Sequence, residues 1–114
     1  MTTAPMTRMP GYLLAFACLA FGTASAQVQE PAALVDQQHC MFCHTADMPF
    51  LAPSFHEIAE RYRDTPHAED ILADKLRLGG RAHWGDTAMP LPAERGGSLS
   101  SEDAHTLIRW VMSQ

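Results

Sequence analysis

Residues 40–44 read Cys40-Met41-Phe42-Cys43-His44, and the reading of the whole chain turns on them. Two thiols separated by two residues, with an imidazole directly after, form the C-x-x-C-H pattern of c-type haem attachment. The spacing has a chemical reason. Each thiol adds across one of the two vinyl groups of haem to make a thioether, and one helical turn between the thiols matches the vinyl separation. The next residue, His44, can then bind iron from beneath the ring. Other uses of a close cysteine pair need surroundings that this chain lacks. A thioredoxin-type redox pair sits on a βαβ pattern, and no strand pattern is present. A zinc site needs a second Cys pair or a spaced His pair, and neither follows. A plain disulfide suits an oxidising compartment but leaves His44 without a role.

The first 26 residues have a different character. They hold no acidic residue, one base (Arg8), an apolar run from Tyr12 to Gly22, and Ala24-Ser25-Ala26 before Gln27. A charged start, a short apolar core and a small-residue cleavage site make a secretory signal. The run falls short of the roughly 20 apolar residues that span a bilayer; a retained membrane anchor is the competing reading. Cys18 lies inside the run. A lipoprotein signal would place Leu three residues before its cysteine, where Ala15 stands, so Cys18 reads as an apolar residue of the leader. The expected organisation is a signal peptide at 1–26 and one domain at 27–114, located in the periplasm with no stable membrane insertion after cleavage.

The 114 residues carry 13 acidic against 8 basic side chains, a net charge of −5, and loss of Arg8 with the leader makes the remainder more negative. Nucleic acid is excluded as a partner, because phosphate binding needs clustered Lys and Arg. The acids are too dispersed for a catalytic pair and read as a solvated face. So short a domain buries little and benefits from a staple, which a covalent haem would provide.

The rest of the chain reads as helix and loop. Pro31 to about His39 predicts a short helix with Pro31 in its first turn and Leu34 and Val35 buried. Pro49 and Pro53 punctuate a loop. Ser54 and Glu57 form a capping box, and Phe55, Ile58, Ala59 and Tyr62 recur on one helical face. Thr65-Pro66 predicts the next helix, with Pro66 at its first position, Ile71, Leu72, Leu76 and Leu78 as its apolar side, and Gly79-Gly80 as its stop. Residues 81–97 read as a loop. Ser100, with Asp103 at the capping-box position, opens a last helix whose apolar side is Ala104, Leu107, Ile108 and Val111, flanked by Trp110. The predicted fold is all-α: four short helices wrapped around one haem.

The second iron ligand is sought among the methionines. Met41 lies between the cysteines, Met48 is four residues past His44, and Met112 ends a packed helix. Met89 lies in the irregular loop, far enough downstream for two helices to wrap the ring and return on its other face, and Pro90 stiffens the backbone beside it. Met89 is therefore the expected partner of His44. His39, His56, His67 and His105 read as solvated, and His83 is the alternative ligand nearest that loop.

These residues, with Ala52-Pro53-Ser54-Phe55, Lys75, Trp84-Gly85, Met89-Pro90 and Ser100 through Val111, resemble the small bacterial class I cytochromes c, especially short periplasmic monohaem carriers. The resemblance implies the cytochrome c fold. It also implies that Pro53 offers its carbonyl to the His44 ring, that Trp84 bonds a haem propionate, and that Lys75, at an Arg position, pairs with a propionate. Three departures stand out. Ala52 and His39 occupy positions usually held by Gly, and about four extra residues near Glu94–Gly97 lengthen the loop after Met89. The function expected is a one-electron carrier with six-coordinate His44/Met89 haem c, exchanging electrons with redox proteins and not itself an enzyme. Two alternatives stand beside it: a dedicated haem subunit of a periplasmic oxidoreductase, and a five-coordinate haem sensor or enzyme if Met89 is no ligand.

The leader gives the first prediction. The exported protein should begin at Gln27, and its intact mass should correspond to residues 27–114 plus one haem. A mass that retains Tyr12–Gly22, or that carries lipid on Cys18, would contradict the organisation above.

Overall fold

The computed structural model describes residues 1–3, 28–81 and 87–114. Five α-helices occur among them: α1 (Ala32–Gln37), α2 (Phe55–Tyr62), α3 (Ala68–Leu78), α4 (Pro92–Arg95) and α5 (Ser101–Val111). A single 3-10 turn, Cys40–Phe42, follows α1. The described residues contain no strand, only an isolated antiparallel bridge between Gly80 and Met89. The described residues are all-α, as expected, with one addition. The stretch read as loop after Met89 contains α4, so five helices stand where four were expected. Pro92 at its first position and Glu94, which accepts the Leu91 N–H at 2.8 Å, account for that turn.

The capping box of α2 forms in both directions. Glu57 N–H donates to Ser54 Oγ at 3.1 Å, and Ser54 N–H donates to the Glu57 carboxylate at 2.8 Å. Phe55 and Ala59 are buried on the predicted face, with Ile58 and Tyr62 half-buried. Ser100 likewise accepts from Asp103 N–H at 3.0 Å to open α5, which buries Ala104, Leu107, Ile108, Trp110 and Val111. In α1, Val35 is buried and Leu34 half-buried, while Pro31 stands at the cap just before the helix.

Two expectations about α3 need correction. The helix begins at Ala68, not Pro66, because His67 takes a left-handed conformation (φ 58). Ala68 N–H closes onto the Thr65 carbonyl at 3.3 Å. That is a turn with positive φ at its third residue, which favours Pro at its second. The buried side is Ala68, Leu72, Ala73 and Leu76, whereas Ile71 and Leu78 are 40 % and 68 % exposed. At 100° per residue, Ile71 and Leu78 lie more than a quarter-turn from the Leu72–Leu76 stripe, so the helix cannot bury all four. Gly79 (φ 61) ends the helix as expected.

α3 packs mainly on α5, and the core gathers Val35, Phe55, Leu72, Ala73, Leu76, Leu99 and the inner face of α5. A polar clasp crosses the outside of the same helix pair. His105 Nε2 meets the Asp70 carboxylate at 3.0 Å, and its Nδ1 meets the Ser101 carbonyl at 2.7 Å. Both acceptors favour the doubly protonated ring, and they raise its pKa, Ser101 first and Asp70 second. A raised folded-state pKa contributes stability below the ordinary imidazole value of about 6.5, and that contribution disappears as pH rises through the folded value. Asp70→Asn should therefore lower the unfolding midpoint slightly at pH 5.5, and the gap from wild type should close by pH 9. A gap that widens with pH would show the clasp to be unimportant.

Candidate functional site

The loop from Cys43 to Ser54 is clipped back on itself by its own backbone. Ala52 N–H donates to the Cys43 carbonyl at 3.0 Å, Phe55 N–H to Thr45 at 2.9 Å, and His56 N–H to Ala46 at 3.0 Å. This brings the Pro53 carbonyl to 2.6 Å from His44 Nδ1. A carbonyl has no proton to give, so Nδ1 carries the proton and Nε2 keeps its lone pair. The imidazole stacks on Phe55 (centroids 5.4 Å apart, 24°), and Phe55 meets Trp110 edge-on at 4.8 Å. The ring that has a nitrogen to offer a metal is thus held by one hydrogen bond and by the aromatic core.

His44 and Cys40 line one apolar cleft together with Met89, Phe55, Ile58, Leu72, Leu76, Leu107, Ile108, Trp110, Val111 and, as its cation, Lys75. Cys43, next to His44 in the chain, is half-buried and is not joined to Cys40 in a disulfide. Of the expected set, Cys40, His44, Lys75 and Met89 line the cleft, and Pro53 is bonded to the His44 ring. Trp84 and His83 lie outside the described residues. Of the other methionines, Met41 and Met48 are 51 % and 72 % exposed, and Met112 packs against the core at the end of α5. The lining of this cleft suits a flat apolar group carrying iron and acidic substituents. Carbon and sulfur wall it, an oriented imidazole and a thioether both face it, and an ammonium lines it.

Burial shapes the titrating groups. It pushes the Cys40 thiol up, against the opposing pull of Arg95. It pushes the His44 imidazole down, with the Pro53 bond opposing and Arg95 reinforcing.

His39 before the motif has a local explanation. It sits at φ 52, a left-handed conformation that suits glycine, and its ring stacks on Phe42 with centroids 4.8 Å apart. Two residues that sequence reasoning passed over are buried beside the motif: Gln38, fully inaccessible, and Arg95, 8 % exposed. Arg95 Nη1 donates to Gln38 Oε1 at 2.7 Å. Nothing in the pattern marks Gln38; the only hint of Arg95 is the Gly96-Gly97 pair after it, which announces a close backbone approach.

A small helical domain folded over such a cleft, with the C-x-x-C-H segment on its wall, is the architecture of a monohaem c-type cytochrome. The family model "Cytochrome c" matches residues 28–114. Cytochrome c-551 of Pseudomonas aeruginosa is 32% identical over 99 residues, spanning 84% of this chain and 90% of that protein. Cytochrome c-552 of Nitrosomonas europaea is 30% identical over 103 residues, spanning 90% and 92%. The crystal structure of wild-type Nitrosomonas europaea cytochrome c552 superposes with a TM-score of 0.62 at 30% identity, covering 71% of this chain and 95% of that one. The chain belongs to the cytochrome c family. One covalently bound haem c comes with that family, Cys40 and Cys43 fit its attachment motif, and the role is that of an electron carrier rather than an enzyme.

Replacing Cys40 and Cys43 together with Ala should abolish haem that survives a denaturing gel and leave a poorly folded chain, since the cleft walls are also the core. Haem staining that persists in the double variant would move the attachment elsewhere.

Proposed function

We propose that this cytochrome shuttles single electrons with its iron six-coordinate, held by His44 through Nε2 and by Met89 through sulfur, and with haem c attached at Cys40 and Cys43. The observation that carries this reading is the position of Met89. It is the methionine that lines the cleft with His44, brought there by the bridge to Gly80 at the end of α3. When bound, haem c supplies a one-electron iron couple that needs no substrate at the metal. The chain's residues tune and protect that couple. Pro53 fixes the His44 tautomer. Met89 offers a soft thioether, which favours reduced iron. The apolar walls from α3 and α5 exclude water and disfavour the extra charge of the oxidised state. Lys75, which lines the cleft, would pair with one propionate, and the resemblance assigns Trp84 the other.

Redox proteins are the partners. Met41, Phe42, Met48, Phe50 and Leu51, all around the attachment segment, are 51–72 % exposed, and exposed apolar side chains in such number mark a contact face. The periplasm is the proposed location. Support comes from the leader at 1–26 and from a match to the Nitrosomonas europaea protein that, at 90% of the chain, reaches back into that leader. Among the described residues no helix is long and apolar enough to cross a membrane.

The test is a set of three single variants. Met89→Ala should erase the weak far-red charge-transfer band of sulfur-bound oxidised haem and open the iron to carbon monoxide. It should also lower the reduction potential by on the order of 0.1 V, within the roughly 0.8 V that axial ligands command. Met48→Ala and Met112→Ala should keep the band. A wild-type protein that already binds carbon monoxide readily would favour the five-coordinate reading instead.

A further inference from the structure

Arg95 lies at the end of α4, six residues after Met89, and each of its three guanidinium nitrogens donates inside the protein. Nε donates to the Pro90 carbonyl at 2.9 Å, Nη1 to Gln38 Oε1 at 2.7 Å and Nη2 to the Leu76 carbonyl at 2.6 Å. These acceptors lie on three separate segments. Pro90 directly follows Met89. Gln38 caps the end of α1, two residues before Cys40. Leu76 is in the last turn of α3, where carbonyls lack partners within the helix and a cation is favoured. Gln38 completes the knot by donating from Nε2 to the Gly97 carbonyl at 3.0 Å.

We propose that Arg95 is a positioning residue for Met89: its three-way fork ties the loop that carries the sulfur to the segment that carries the thiols and to the end of α3. This rests on the reading of Met89 as an iron ligand. The planar fork is what the task requires. A guanidinium holds its donors at fixed directions, so three acceptors on three segments are fixed relative to one another. A lysine at the same place keeps the charge but offers its donors from one nitrogen and cannot span them. Without the brace the Pro90 end of the loop is free to swing, and Met89 leaves the iron more often. An external ligand that binds only where sulfur has left reports that population directly, because its apparent affinity scales with the open fraction.

The experiment uses the haem-loaded protein and imidazole as the probe, with the far-red band as the spectroscopic signature. Oxidised Arg95→Lys and Arg95→Gln should bind imidazole roughly tenfold more tightly than wild type. Gln38→Ala, which removes one of the three acceptors and leaves the charge, should shift in the same direction by less; it also serves if an Arg95 variant fails to fold. Asp70→Asn loosens the clasp on the outside of the α3–α5 pair, touches neither Arg95 nor a cleft-lining residue, and should leave imidazole affinity near the wild-type value. Wild-type affinity in both Arg95 variants, or an equal gain in Asp70→Asn, would overturn the proposal. Met89→Ala separates the two readings. If it opens the iron while the Arg95 variants do not, the brace alone fails; if it leaves the band intact, the ligand assignment fails first.

Discussion

The hydrogen bond between His44 Nδ1 and the Pro53 carbonyl, 2.6 Å long, is the constraint on which the site depends. It decides which imidazole nitrogen has a lone pair and in what plane that lone pair lies. Its partners are set by covalent neighbours on both sides. His44 is fixed behind Cys43 by the motif, and Pro53 is fixed before Ser54 by the capping box of α2. The start of a helix and the orientation of a metal-binding ring are therefore a single geometric problem, solved within residues 43–57. Phe55, first residue of that helix, then carries the ring's position into the core through Trp110 of α5.

The core itself is thin. Leu72, Leu76, Leu107, Ile108, Trp110 and Val111 serve both as interior and as cleft wall. In a chain of this length the apolar area buried by helix packing is small relative to the entropy of ordering it. A bound haem would therefore complete the interior. The described residues leave no buried side-chain polar atom without a partner, so the apolar character of the cleft is not interrupted by unsatisfied groups that would admit water.

What the sequence made legible was whatever depends on adjacency. Cys40, Cys43 and His44 are contiguous, Ser54 and Glu57 are one helical turn apart, and the faces of α2 and α5 repeat at helical spacing. Each is decided by neighbours, and each was readable. The errors came where distant segments decide. Ile71 and Leu78 are as apolar as Leu72 and Leu76, but α5 covers only one side of α3. Pro66 would suit a helix start, yet a left-handed His67 puts it in the preceding turn. The one-turn helix Pro92–Arg95 hides in a stretch whose Pro and Gly content reads as loop. Gln38 and Arg95, polar by composition, are buried because each is the other's partner across more than fifty residues of chain.

That pair shows why residues 94–97 are not slack. Gly96, at φ 135, passes so close to α1 that a Cβ there would overlap the Gln37 carbonyl. Only a glycine permits that approach, and the approach is what lets Gln38 reach both Gly97 and Arg95. A buried arginine is costly when its nitrogens are left without partners. Here each of the three nitrogens donates to an oxygen, two of them carbonyls and one an amide, and one of these lies at the negative end of α3. The charge is also felt in the cleft, since it lowers the proton affinity of both Cys40 and His44. Oxidised haem iron carries one more positive charge than reduced iron. A guanidinium that disfavours positive charge at His44 would therefore favour the reduced state of a bound haem, in the same direction as the thioether proposed as its ligand.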